Sequence, residues 1–475
     1  MKKTKIICTI GPVTADEKSI KKLIDSGMNI ARLNGSHNTA EWHKSTIQLI
    51  RSINPNIAIL LDLPGRKIRT KLVDHEHHFC KGDNVVFTTD QECDGIQKIV
   101  LNYKNLHKLL KKKNKILADD GTLEFEVTAV EGKDIQCIAK VSGSIKPSKG
   151  INVPFVKMDS PLVSQSDIKL IELCKNQSVD FIGVSFVDSG EQLKEVYKYI
   201  EGSSVEVIAK VENQFGMENL NSIVENSFGI LIDRGDLSAE TNIVQLPTMQ
   251  KQIIEAANQH GKPVIVATEM LHTMIENPFP TKSEVNDIAN AILDGASAVM
   301  LSGETAAGKY PFAACKMMKD VAEETERELL HHSIKQKKSS KDISGIIAKS
   351  IYFGSTELDI TKIVAITYSG FAARMIALQR PRQEIIVITD TLEKLRQYNL
   401  LWGVDAHVGN IEFIPTDSNN SIDCLKMLYK SSILNKSDRV ILTGVKSPNP
   451  RKNTTMNYIE IHNISDLIET FLWDE

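Results

Sequence analysis

Residues 205–236 read VEVIAKVENQFGMENLNSIVENSFGILIDRGD. Two short β-rich apolar runs, Val205–Lys210 and Phe228–Asp233, flank an amphipathic stretch, Met217–Asn226. A strand, a helix and a strand in that order call for parallel pairing, because a crossover helix returns the chain to start the next strand in the same direction. The unit recurs on both sides. Further candidate strands are Thr4–Thr9, Met28–Leu33, Ile57–Asp62, Phe181–Phe186, Pro263–Thr268 and Ala298–Ser302. Helical patterns cover Glu17–Ser26, Ala40–Arg51, Ser166–Lys175, Gly190–Ile200, Thr248–His260, Lys282–Leu293 and Phe312–Leu330. Eight such strands imply a closed α/β barrel of the TIM (β/α)8 type.

One interval breaks the rhythm. Roughly residues 70–153 lack helical periodicity and carry short strand patterns at Val85–Phe87, Ile99–Leu101, Lys115–Leu117, Leu123–Val127 and Ile135–Val141. They read as a small β-barrel inserted in a barrel loop, with His75, His77 and His78 as solvated loop residues. After the lysine-rich stretch at 335–341, expected as a hinge, a new α/β pattern begins. Strands are expected at Ile363–Thr367, Ile385–Thr389, Val440–Thr443 and Tyr458–Ile461, and a helix at Ala372–Leu378. The expected division is 1–69 with 154–338 for the barrel, 70–153 for the inserted lid, and 339–475 for a doubly wound α/β domain.

The bulk numbers narrow the function. The chain has 475 residues and a formal charge of −3, with 41 % hydrophobic and 25 % charged residues. A nucleic-acid binder needs a concentrated basic face, and none is evident. No apolar run approaches the ~18 residues of a membrane span. The seven cysteines are odd in number and scattered. That spacing suits a reduced, cytoplasmic protein without a disulfide framework or zinc site.

In such barrels, polar residues at the carboxyl ends of strands build the active site. Here these are Arg32, Asn34, Ser36, Asp62, Ser185, Lys210, Glu212, Asp236, Thr268 and Glu304. Lys210 and Glu212 are two apart on a strand and share a face. Glu212 and Asp236, from adjacent strands, make an oxygen-rich site suited to Mg²⁺ or Mn²⁺. A lysine beside them can neutralise a phosphoryl group in transfer. The segment 303–310 nearly matches a P-loop, but Tyr310 stands where the metal-binding hydroxyl belongs.

The motifs Lys5–Pro12, Ala31–His37, Lys149–Pro154, Ile208–Asn213, Arg234–Leu237, Ala267–Leu271 and Ala291–Pro311 are carried in this order. With them the chain resembles the pyruvate kinase family along nearly its whole length. The resemblance implies phosphoryl transfer from phosphoenolpyruvate to ADP, giving pyruvate and ATP. It implies Mg²⁺ (or Mn²⁺) on Glu212 and Asp236, and Lys210 and Arg32 on the phosphoryl group. The substrate carboxylate falls to Gly235, Asp236 and Thr268, with Thr268 also near the carbon that gains a proton. Asn34, His37, Arg69 and Lys149 match nucleotide positions. Homotetramers are usual in the family. The terminal domain resembles its effector domain, with the turn Thr367–Gly370 as a cradle for a sugar-phosphate or nucleotide effector.

Departures from the pattern carry their own expectations. The monovalent-cation positions are Asn34, Ser36, Asp62 and Leu63. Leu63 lacks the hydroxyl that potassium-dependent relatives offer, and Lys67 replaces a glutamate. A fixed ammonium in place of K⁺ predicts potassium-independent activity. Asp233 stands where alanine is usual, Gly35 and Phe279 where phenylalanine and arginine are. Two rivals weigh against this reading. A Mg²⁺ lyase acting on an enolate has no nucleotide for an inserted domain to cover. A regulatory paralogue would have lost Lys210, Glu212 or Asp236.

Overall fold

The computed structural model describes residues 3–119, 121–331, 343–410, 420–445 and 455–474; the lysine-rich stretch at 335–341 lies outside them. Eight strands form one closed parallel barrel: β1 (Lys5–Thr9), β2 (Ile30–Asn34), β3 (Ala58–Asp62), β4 (Phe181–Val184), β5 (Glu206–Val211), β6 (Gly229–Asp233), β7 (Val264–Ala267) and β8 (Ala298–Leu301). β8 pairs with β1 and seals the ring. Residues alternate between two faces along each strand. One parity, including Ile7, Ile30, Leu60, Phe181, Ile208, Leu231, Ile265 and Met300, fills the interior. The other, including Ile6, Ala31, Ile59, Ile182 and Val207, packs against the surrounding helices. Continued to the carboxyl ends, the inner parity puts Thr9, Arg32, Asp62, Lys210, Glu212 and Asp233 in the barrel mouth.

Local chemistry sets the helix ends. Capping boxes at Ser164/Asp167 and Thr281/Glu284 satisfy backbone donors at the start of Gln165–Asn176 and Lys282–Asp294, each cap contributing about 1 kcal/mol. The expected helix Met217–Asn226 is instead two, Gln214–Glu218 and Leu220–Glu225. The Asn219 side chain donates to the Phe215 and Asp188 carbonyls at 3.1 and 2.9 Å, competing with the helix at that point. Asp236 lies in the first turn of a short helix, Arg234–Glu240.

The inserted unit is a seven-stranded sheet ordered 68–69, 150–152, 115–118, 123–131, 134–139, 84–88 and 99–100. A bridge between Thr70 and Leu101 joins its two edges, around a core of Phe87, Phe125 and Ile135. His77 and His78 are not loop residues: His77–Phe79 pairs with Gly143–Ile145, because Phe79 is drawn into the same core.

The terminal sheet has five strands in the order Val404–Val408, Glu384–Thr389, Lys362–Ile366, Arg439–Gly444 and Tyr458–Asn463, the last antiparallel. Val404–Val408 escapes a hydropathy reading because Asp405 and His407 interrupt it, as an edge strand allows. This domain meets the barrel base through buried cations. Lys3 Nζ donates to the carbonyls of Pro381, Arg382 and Gln383 at 2.5–2.9 Å, and Lys5 Nζ to that of Val404 at 2.6 Å. Asp180 takes Arg51 on one oxygen (2.6 Å) and Arg396 on the other (2.5 Å). Among the described residues no helix is long and apolar enough to cross a membrane.

Candidate active site

Lys210, at the end of β5, is the centre of the mouth. Its ammonium lies 2.7 Å from Glu212 Oε1, 3.2 Å from Asp233 Oδ2, 3.8 Å from Asp62 Oδ2 and 3.2 Å from Ser185 Oγ. Arg32, from β2, clasps Asp62 Oδ2 through Nε and Nη2 (3.1 and 2.6 Å) and donates to Thr9 Oγ1 at 3.2 Å. All of these charged groups are buried. Glu212 Oε2 accepts from the Phe186 amide at 2.6 Å. Its Oε1 is within ion-pair reach of Lys210 but has no aligned donor, and neither has Asp62 Oδ1.

Glu212, Asp233 and Asp236 can bring one oxygen each within 4.8 Å of one another. Oxygens sharing one divalent ion at about 2.1–2.5 Å lie no more than about 4–5 Å apart, so this hard, three-carboxylate set fits such an ion. The electrostatics agree. Burial disfavours the charge on Lys210, but Glu212, Asp62 and Asp233 outweigh it and raise its pKa well above the ordinary value. Burial pushes the Glu212 pKa up; Lys210 opposes this, while Asp236 and Asp233 add to it. Burial also acts against charge on Asp233, yet Lys210, Lys67 and Arg32 hold its pKa low. The mouth is a site with more anions than it can pair.

Asp236 faces the inserted sheet as well. Lys67 Nζ lies 2.7 and 2.9 Å from its two carboxylate oxygens. Asn152 Nδ2 donates to Asp236 Oδ1 at 3.2 Å and to Glu240 Oε1 at 2.9 Å. Burial pushes the Glu240 carboxyl up to about 7. Thr268, just past β7, has a left-handed backbone with φ 67°. For a β-branched residue that costs about 1–3 kcal/mol. The conformation is held from outside: Arg234 donates to the Thr268 carbonyl at 3.2 and 2.6 Å and pairs with Asp287 at 2.6 Å. Thr268 Oγ1 in turn accepts the Gly235 amide at 2.9 Å.

The other expected positions are more spread. Asn34 Oδ1 accepts from the Ser36 amide at 3.1 Å, and Leu63 is buried beside Asp62. Gly35 approaches Asp62 closely; a Cβ there would lie 2.5 Å from the Asp62 carbonyl oxygen. Burial, then Arg69 and Arg32, lower the His37 pKa. Lys149 pairs with Asp119 within the inserted sheet. Lys67 pairs with Asp236. Glu304 is occupied structurally, accepting from the Leu271 and Ser302 amides. Phe279 is 72 % exposed.

Sequence reasoning marks Asp233 only as a departure from the family pattern and gives no role to Glu240 or Asn152. The signal for Asp233 was present: it shares parity with Leu231 and ends an otherwise wholly apolar buried strand. Glu240 and Asn152 gave none, since their meeting depends on how the inserted sheet folds back.

A second cavity, of about 490 Å³, opens between the barrel base and the terminal domain. Lys262, Arg374 and Lys394 line it, alongside the carboxylates Glu206 and Glu225, with Ser369 and Tyr368 of the turn before helix Phe371–Gln379. Gly370 in that turn has φ 70° and lies under the Tyr398 ring, leaving no space for a Cβ.

Residues 1–315 match the family model described as pyruvate kinase, barrel domain, and residues 346–462 that described as pyruvate kinase, alpha/beta domain. A pyruvate kinase of Bacillus licheniformis is 36 % identical over 462 residues, covering 94 % of this chain and 78 % of its own length. One of Staphylococcus aureus (strain MRSA252) is 37 % identical over 485 residues, covering 98 % and 81 %.

Proposed function

The chain belongs to the pyruvate kinase family, and on that premise we propose that the barrel mouth moves the phosphoryl group of phosphoenolpyruvate to ADP with Mg²⁺ or Mn²⁺ on Glu212 and Asp236. The observation that carries this is the surplus of buried carboxylate around Lys210, an arrangement that binding of a divalent cation would relieve. The ion supplies charge neutralisation and alignment for phosphate oxygens. Lys210 and Arg32 bind the phosphoryl oxygens as the bond from phosphorus to the enol oxygen breaks and the terminal ADP oxygen takes the phosphorus. The amides of Gly235 and Asp236, with Thr268, receive the substrate carboxylate. Thr268 also holds the water that protonates the enolate carbon, completing pyruvate. Asn34, His37, Arg69 and Lys149 bind the nucleotide, with the inserted domain closing over it as a lid.

The test is ATP formation from phosphoenolpyruvate and ADP in a coupled assay. Near-parent turnover of Lys210→Ala would overturn the assignment. We further propose that activity is potassium-independent, supported by the apolar Leu63 among the cation positions; the Lys67 ammonium itself lies on Asp236 in the ion-free protein. Many-fold stimulation by K⁺ over Tris would reverse this and give the unpartnered Asp62 Oδ1 to potassium. A glycolytic role in the cytoplasm, a homotetramer and a phosphorylated effector complete the proposal. The effector reading rests on the cations around the Tyr368–Ser369 turn; isothermal titration with sugar phosphates and nucleoside monophosphates tests it.

A further inference from the structure

Both segments that cross between barrel and inserted sheet end on one carboxylate. The outgoing segment turns at Gly65 (φ 62°), and Lys67 then reaches Asp236 with both oxygens inside 3 Å. The returning segment pairs with it through Gly150↔Arg69 and Ile151↔Ile68, and Asn152 binds the same Asp236 Oδ1. Gly150 leaves room for the lysine stem: a Cβ there would lie 2.8 Å from Lys67 Cε. The Lys67 side chain is only 18 % exposed, so most of its hydration has been exchanged for Asp236.

Asp236 also belongs to the three-carboxylate set. A small divalent ion demands near-ideal oxygen geometry, and a carboxylate with an ammonium on both oxygens does not offer it. A cavity of about 30 Å³ adjoins Lys67 and is lined by Glu240, giving a displaced side chain both space and a second carboxyl group.

We propose that Lys67 is a resident cation that occupies Asp236 in the ion-free protein and is displaced when the divalent metal binds, which couples metal binding to release of the outgoing lid hinge. The proposal rests on the reading of Asp236 as a metal ligand. Coupling is reciprocal: whatever strengthens the Lys67 contact weakens the metal, and the metal loosens the hinge.

The test uses the full chain without substrates. Mn²⁺ binding is followed by the electron paramagnetic resonance signal of the free ion, and hinge opening by hydrogen exchange of peptides spanning 64–71 and 149–154. Lys67→Met and Lys67→Gln should bind Mn²⁺ roughly tenfold more tightly than the parent. Mg²⁺ should speed hinge exchange in the parent and leave it unchanged in both variants, where it is already fast. Gly150→Ala, which crowds the lysine stem, should move both readouts the same way. Equal Mn²⁺ affinity in parent and variants, or a parent hinge indifferent to Mg²⁺, would overturn the proposal. Asp236→Asn separates this failure from that of the underlying reading: undiminished Mn²⁺ binding there removes Asp236 from the metal site altogether.

Discussion

At the base of the barrel, Lys3 and Lys5 give up water and gain backbone carbonyls and nearby carboxylates; at the mouth, Glu212 and Asp233 give up water and share one lysine, Glu212 gaining a single backbone amide besides. Burial lowers the pKa of Lys3 and Lys5 to about 8, whereas Lys210, equally buried, is raised well above its ordinary value because anions crowd it. Both regions hold buried charge within the same chain. The difference is pairing. At the base each cation has acceptors positioned by the fold, which is what a permanent interface requires. At the mouth, oxygens of Asp62 and Glu212 are left without an aligned donor, which is what a ligand-accepting site requires.

The comparison breaks most directly on turnover. Lys210→Met should lower kcat by about 10²–10⁴, a loss of transition-state charge stabilisation, while the melting temperature with Mg²⁺ present moves less than for a base variant. Steady-state kinetics with calorimetry checks both. The base variant, Asp180→Ala, should do the reverse. It leaves Arg51 and Arg396 without their carboxylate, costs about 3–5 kcal/mol, and spares the kcat of the folded fraction; denaturant titration reads the loss.

Glu240 sharpens the comparison through pH. Its carboxyl is raised from an ordinary 4.5 to about 7, so between those values the folded state keeps a proton that the unfolded state has lost. Stability then falls as pH rises through this window, by up to about 3 kcal/mol at pH 8. Glu240→Gln keeps the acceptor for Asn152 and should flatten the slope in melting curves from pH 4.5 to 8. An unchanged slope would remove Glu240 from the account. The smallest effect is expected of Asp233→Ala. Removing one anion near the bound substrate should lower the KM for phosphoenolpyruvate a few-fold and weaken Mn²⁺ binding to the ion-free protein by a similar factor. A higher KM would mean that Asp233 assists the substrate.

The barrel was legible because its strands are short apolar runs buried on both faces, a pattern no helix of that length imitates. Lys210, Glu212 and Asp236 were legible because polar residues at the ends of such runs have little other reason to be there. The edge strand Val404–Val408 was not, since solvent on one side permits Asp405 and His407. The contact of Lys67 with Asp236 was not either. It depends on the path of the inserted sheet, whose return through Asn152 no local pattern encodes.

The pairing of β3 with β4 also bears on how the chain assembles. Leu60 lies opposite Phe181, with the whole inserted sheet between them in sequence. Were that interval a flexible loop, every doubling of its length would add about 0.6 kcal/mol to the entropy of closure. It is not flexible once folded: Ile68 and Ile151 are partners at its neck, so its ends are already together. An insert that folds first converts a long-range closure into a short one, and the β3–β4 junction of the ring closes at the entropic cost of a much shorter loop.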